Sequence, residues 1–106
     1  MSDLDILYYQ GERCIVGKVE CCSLPGYLFT FPSRDHEPPH VHIRRLGEWE
    51  IHVDLRQTTT KHLSWTPKWP KTYRGPSRAI RMKIAKLIVE NRARLIEEWE
   101  VKVCRS

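Results

Sequence analysis

A strand–turn–strand pattern runs through His40-Val41-His42-Ile43-Arg44-Arg45-Leu46-Gly47-Glu48-Trp49-Glu50-Ile51-His52-Val53-Asp54-Leu55. On each side of the turn, polar residues alternate with apolar ones, which is the period-two signature of a strand that buries one face. The turn Arg45-Leu46-Gly47 fits a three-residue hairpin loop, because glycine enters the left-handed conformation without steric cost. The sequence therefore predicts an antiparallel hairpin at the centre of the fold.

The loop length indicates which residues of the hairpin face each other. On the buried face we expect Val41 opposite Ile51 and Ile43 opposite Trp49. On the other face we expect His42 opposite Glu50, His40 opposite His52 and Arg44 opposite Glu48. A slip of one residue would bury the histidines, so the assignment of faces is strongly specified. The hairpin should present imidazoles and carboxylates on one accessible face, although exposed strand faces also carry polar residues that have no further role.

The segment that enters the hairpin contributes another histidine. In Asp35-His36-Glu37-Pro38-Pro39, two consecutive prolines remove two backbone donors and hold the residues before them in extended conformations. His36 is therefore predicted to lie on a stiff, non-helical loop that leads into the strand carrying His40 and His42.

The run from Asp35 to His42 resembles the D-H-x-P-P-H-x-H signature of a small bacterial family of unknown function. The resemblance extends from Gly26 to Trp99 and includes an aromatic strand, a glycine-containing hairpin and a C-terminal amphipathic helix. It implies a compact α+β domain, often encoded beside small DNA-binding proteins, and therefore a toxin–antitoxin-type regulatory protein with a cognate small protein partner. The segment from Gln57 to Pro76 is longer than the resemblance leads us to expect, so a partner surface there would be particular to this chain.

Length and composition indicate one globular domain, residues 1–106. The chain is 41% apolar and 29% charged, which is typical of a folded protein outside a membrane. It has no apolar run of about eighteen residues, and its acidic N-terminus lacks a signal-peptide core, so we expect a cytoplasmic protein with no membrane contact. The spacing of its four cysteines suits neither a zinc finger nor a disulfide framework, which favours reduced structural thiols.

The other elements predict strands followed by a helix. Apolar and β-favouring residues at 14–16 and 19–22, and then at 27–31, predict two strands separated by a turn. From the predicted N-cap Ser77, apolar residues recur at helical spacing as far as Trp99, with a possible break at Asn91. We therefore predict an α+β fold in which a C-terminal amphipathic helix covers an antiparallel sheet of three to four strands.

Positive charge is concentrated in the second half of the chain. The net charge is +5, but residues 1–64 contain seven Lys/Arg against nine Asp/Glu, whereas residues 65–106 contain eleven against four. This asymmetry favours a nucleic-acid or acidic-protein partner for the second half of the chain. The alternative is a basic surface that only keeps the protein soluble.

The stretch 57–76 has no clear period and predicts a long loop, with at most a brief strand at its start. Its aromatic residues alternate with cations, which is the chemistry that stacks bases and neutralises phosphates in single-stranded RNA. Aromatic residues that merely cap the core are the alternative. The predicted nucleic-acid-binding residues are Lys68, Trp69, Lys71, Tyr73 and Arg74.

Three functions fit the histidine face. A metal site, with zinc the natural candidate, would use His40 and His42 with His52 or His36 as the third ligand, and Glu50 or Asp54 as a carboxylate. A metal-independent ribonuclease would use His36, His40 and His42 for proton transfer and Arg34 or Arg44 to stabilise the phosphorane. A non-enzymatic module would use the motif as a structural corner and bind a protein or nucleic acid. The leading hypothesis is a regulatory protein that acts on RNA or the translation machinery through this hairpin.

Overall fold

The structure, a computed structural model, describes residues 17–31 and 38–104. Four antiparallel strands form one sheet in the order β1-β2-β3-β4. They are β1 (Leu28–Thr30), β2 (His40–Arg45), β3 (Trp49–Asp54) and β4 (Trp65–Trp69). Each strand lies beside the next one in sequence, so the sheet is a simple meander.

Two helices follow the sheet, α1 (Arg78–Glu90) and α2 (Arg92–Trp99), and a π-helical turn continues over Glu100–Cys104. The helix starts as predicted, because the Ser77 hydroxyl accepts a hydrogen bond from the Ile80 N–H at 3.3 Å. The break at Asn91 is also confirmed. Its φ of −114° is not helical, and its side-chain amide donates to the Leu87 carbonyl at 2.9 Å. The predicted α+β class is therefore correct.

The core lies between one face of the sheet and the helices. Apolar side chains of β2 and β3 and of both helices are fully buried in one cluster, in which Trp99 is the largest side chain. The members of this cluster with no exposed surface are Val41, Ile43, Ile51, Val53, Leu55, Ile84, Ala85, Ile88, Leu95 and Trp99. The opposite face of the sheet, with the histidines, is left on the outside of this packing.

The hairpin register differs by two residues from the register that the sequence predicts. Val41 pairs with Val53 and Ile43 with Ile51, because the loop is Leu46-Gly47-Glu48, one residue later than expected. Gly47 does have a positive φ of 77°, and the Glu48 N–H donates to the carbonyl before the loop. Since the shift is even, every residue keeps its face. The predicted faces are confirmed and the predicted pairs are wrong.

Two strand predictions are also corrected. The middle of the predicted long loop forms β4, an edge strand that accepts Pro67 because a proline at an edge removes no hydrogen bond inside the sheet. Of the expected first strand, residues 14–16 lie outside the described residues, and Lys18 forms only an isolated bridge with Thr30.

The turn after β3 is tied to α2, because Arg92 donates to the Leu55 carbonyl at 2.9 Å and to the Thr58 carbonyl.

The described cysteines agree with structural thiols. Cys21 and Cys22 are free and half-buried, and burial raises the pKa of the Cys21 thiol to about 12, with the neighbouring Cys22 and Glu98 adding to the effect. The backbone N–H groups of Glu20 and Cys21 both donate to the Glu98 carboxylate, which joins this segment to α2. Within residues 17–31 and 38–104, neither helix has the length and apolar character that crossing a membrane requires.

Candidate metal centre

Three imidazoles meet on the outer face of the sheet. His40 and His42 project from β2 on the same side, and His52 of β3 is the direct cross-strand partner of His42. The rings of His42 and His52 stack with centroids 4.0 Å apart, and the ring of His40 lies 5.5 Å from the first and 5.3 Å from the second. One nitrogen from each ring can be chosen so that all three lie within 4.8 Å of one another. Of the residues predicted as metal ligands, these three are therefore brought together.

A hydrogen bond to the Glu50 carboxylate orients the His42 ring. The Nδ1 atom of His42 lies 3.0 Å from Oε2 of Glu50, while Arg44 donates two hydrogen bonds to Oε1 at 3.0 and 3.1 Å. The hydrogen bond from His42, assisted by Arg44, lowers the pKa of Glu50 to about 2 despite burial of the carboxylate. An ionised Glu50 assigns the proton of a neutral His42 to Nδ1, which leaves the lone pair on Nε2.

A backbone carbonyl orients the His40 ring in the same way. Nδ1 of His40 lies 3.0 Å from the Pro38 carbonyl oxygen, which can only accept a hydrogen bond. In neutral His40 the Nδ1 atom therefore carries the proton, and Nε2 carries the lone pair. Carboxylate and carbonyl acceptors behind imidazoles are the usual supports of metal-ligating histidines.

His52 is held in its neutral form. Burial lowers the pKa of His52 to about 4, and the nearby His42, His40 and Lys68 lower it further. The Nε2 atoms of His42 and His52 are buried, and neither forms a hydrogen bond with any group in the described part of the chain. The side chain of His42 is only 12% exposed, so this face is less accessible than the sequence suggests.

A pocket of about 230 Å³ opens beside the cluster. His40 and His52 form one side of it, and Asp54, Ser64 and Trp65 contribute to the rest. Asp54 is fixed in place, because its Oδ1 atom accepts the backbone N–H groups of two following residues at 2.8 Å each. The pocket gives one edge of the histidine cluster access to a small ligand.

The residues proposed for proton transfer are not all in this cluster. His36 lies outside the described residues. Of the two arginines proposed to stabilise a phosphorane, Arg34 also lies outside the described residues, and Arg44 forms an ion pair with Glu50. Sequence reasoning missed the supporting roles of Glu50 and the Pro38 carbonyl. The Glu50 carboxylate sits among polar residues and is 8% exposed, a burial that the alternating pattern does not reveal.

The predicted nucleic-acid-binding residues are divided between surface and core. Trp69 is 53% exposed at the end of β4, and Lys68, Lys71 and Arg74 are exposed as well. Tyr73 instead stacks on the buried Trp49 with ring centroids 5.4 Å apart. The tryptophan that precedes this group, Trp65, is half-buried with its ring near Tyr73.

The fold and the site define a small α+β domain that carries a cluster of three histidines on the face of the sheet away from its helices. The chain belongs to the family described as a domain of unknown function (DUF4160), whose model matches residues 26–100. Comparisons with curated proteins and with solved structures give no significant match.

Proposed function

We propose that the protein binds one transition-metal ion, with Zn²⁺ as the first candidate, through His40, His42 and His52. The convergence of three imidazoles with ligand nitrogens within 4.8 Å, two of the rings being oriented by hydrogen-bond acceptors, carries this proposal. Imidazole nitrogen is a preferred ligand of zinc, copper and nickel, and three histidines are the protein ligand set of many zinc sites that leave a fourth position open.

The cluster needs only small adjustments to hold an ion. Nitrogens bound to a tetrahedral zinc at about 2.0–2.1 Å lie about 3.3 Å apart, so the rings must rotate closer than their present separation. The three side chains already share one face of two paired strands, and ring rotation requires no change of register. When bound, zinc would supply an activated water or a Lewis acid at the edge facing the pocket.

The metal hypothesis is favoured over a metal-independent ribonuclease by access to the nitrogens. A general base must come within hydrogen-bond reach of the proton that it removes. Nδ1 of His42 is bound to Glu50 and the Nε2 atoms of His42 and His52 are buried, so a 2′-hydroxyl group cannot directly approach His42, one of the three residues proposed for proton transfer. A small ion can enter the same space and use both lone pairs.

The test measures metal content and affinity in protein prepared without an affinity tag. We expect one equivalent of Zn²⁺ by elemental analysis or by calorimetric titration. His52→Gln should lower the affinity at least about 100-fold, and Glu50→Gln should lower it about 10–100-fold, as expected for loss of a supporting carboxylate. His62→Gln changes an exposed histidine outside the cluster and should bind as the unmodified protein does.

Absence of stoichiometric metal together with absence of binding on titration would refute the metal proposal. Equal affinities for the His52→Gln and His62→Gln variants would also refute it, because they would place the bound ion elsewhere. The intensity of the visible absorption of bound Co²⁺ distinguishes a four-coordinate ion, as proposed here, from a six-coordinate one.

As a second candidate, we propose that the protein binds single-stranded RNA beside β4 and acts as a regulatory protein of toxin–antitoxin type. The exposed Trp69 next to Lys68 supports RNA binding, since an accessible indole can stack on a base. Lys68, Lys71 and Arg74 form no ion pair with any described carboxylate, so their charges are available to phosphates. The regulatory role and the cognate partner are supported by the family resemblance alone.

A further inference from the structure

A second pocket, of about 270 Å³, shares Trp65 with the pocket beside the histidines. Lys61, from the connection between β3 and β4, lines it together with Arg78 and Arg81 of the first turns of α1. Leu63, Trp65 and Met82 supply an apolar wall. The pocket therefore combines three cationic side chains with a surface suited to a ring.

The three cations have no anionic partner in the part of the chain that the structure describes. None of them forms a hydrogen bond or an ion pair with a carboxylate of the described residues. The first turn of α1 contains no acidic residue, although acidic residues are the ones favoured there by the positive end of the helix dipole. Arg78 and Arg81 instead add positive charge to that end. These positive charges therefore lower the stability of α1, and residues that lower stability are common in binding sites.

Hydrogen bonds hold the backbone around Lys61 in a defined conformation. The Thr59 and His62 backbones exchange hydrogen bonds of 2.8 and 3.2 Å across a tight turn, and the Lys61 N–H donates to the Thr59 hydroxyl at 3.3 Å. Arg92 fixes the start of the same turn through the Thr58 carbonyl. The backbone that carries Lys61 is therefore tied to α2, the helix that directly follows α1.

We propose that this pocket binds the phosphate group of a nucleotide, with Lys61, Arg78 and Arg81 around the phosphate and Trp65 and Met82 against the attached base or sugar. Charge-assisted hydrogen bonds from lysine and arginine suit phosphate oxygens, and the positive helix end adds to the attraction. The pocket is small for a complete ligand site, so the nucleotide is either a free mononucleotide or one unit of an RNA strand. The proposal does not depend on a metal at the histidine cluster.

The test follows backbone amide and indole NMR signals of the full chain at low salt during titration with three probes. These are adenosine monophosphate, adenosine, and a short single-stranded RNA without a terminal phosphate. We expect the phosphate-bearing probes to shift signals of Lys61, Trp65 and the first turn of α1, and adenosine to leave them in place. Shifts with the mononucleotide identify a free ligand, and shifts with the RNA alone identify a backbone phosphate.

A matched pair of double variants separates a site from general attraction. Arg78→Gln with Arg81→Gln removes two charges from the pocket, whereas Lys83→Gln with Lys86→Gln removes two exposed charges from the same helix outside it. The first pair should weaken binding about tenfold or more and the second less than about twofold. Because the arginines oppose the helix dipole, the first pair should retain or raise the melting temperature, which checks that it folds.

Equal weakening by the two double variants would overturn the proposal, since it would show attraction to net charge alone. Absence of binding by both phosphate-bearing probes would overturn it as well. Neither readout requires a metal at the histidines, so failure of the metal proposal and failure of this one are distinguishable.

Discussion

Replacing Glu50 by Gln should remove a buried charge that organises the histidine face. The carboxylate is 8% exposed and accepts hydrogen bonds from His42 and from two nitrogen atoms of Arg44. Its pKa is about 2, against an ordinary value of 4.5. A shift of that size corresponds to about 3 kcal/mol, which is an upper bound because Arg44 is half exposed to solvent. We expect Glu50→Gln to lower the free energy of unfolding by about 1–3 kcal/mol at neutral pH.

The pH dependence of that loss identifies its cause. Since the pKa of Glu50 is lower in the folded protein, its stabilising effect is complete above about 4.5 and is lost as the pH falls towards 2. Urea denaturation across this range should show the two proteins converging in stability at the acid end. Glu48→Gln, which breaks the exposed ion pair with Arg45, should cost under about 0.5 kcal/mol and serves as the control. Equal losses for Glu50→Gln and Glu48→Gln, or a loss that stays constant down to pH 2, would refute the reasoning.

Three further predictions concern the core, the histidines and the basic strand end. Ile51→Ala should lower the free energy of unfolding by about 2–5 kcal/mol in urea denaturation, because Ile51 has no exposed surface. The pKa of His52 in the folded protein is about 4, against an ordinary 6.5, so the unfolded chain takes up the proton first as the pH falls. The free energy of unfolding should therefore decrease between pH 6.5 and pH 4. His52→Gln should flatten that dependence in the same assay. In filter-binding assays, Trp69→Ala should weaken single-stranded RNA binding by about 1–3 kcal/mol. The slope of log affinity against log salt should change by roughly two when three cations are replaced together, namely Lys68, Lys71 and Arg74.

The hairpin faces were predictable because alternation with period two depends only on which residues are apolar. The register was not, since a shift of two residues leaves Val41 and Ile43 on the same buried face. The choice between the two registers rests on loop geometry around Gly47, which the sequence specifies only loosely. The start of the first helix at Ser77 and the break at Asn91 were predictable, because apolar spacing and capping residues are local signals in the sequence.

The candidate site was partly predictable for the same reason. Strand alternation places His40, His42 and His52 on one face, and the structure brings their rings together. The acceptors behind the rings were not predictable, because a backbone carbonyl such as that of Pro38 has no sequence signature. Burial of Glu50 comes from the side chains of its neighbours, which alternation does not describe.

Trp65 lines both the histidine pocket and the basic pocket. Because one indole lines both cavities, their occupancies are thermodynamically linked whenever ligand contact in one cavity changes the orientation of that indole. Such linkage is reciprocal: a phosphate that tightens metal binding by a given factor must itself be held more tightly by that factor when the metal is present. A rigid Trp65 would leave the two affinities independent, so the motion of one side chain would decide whether the two proposed ligands bind independently or cooperatively.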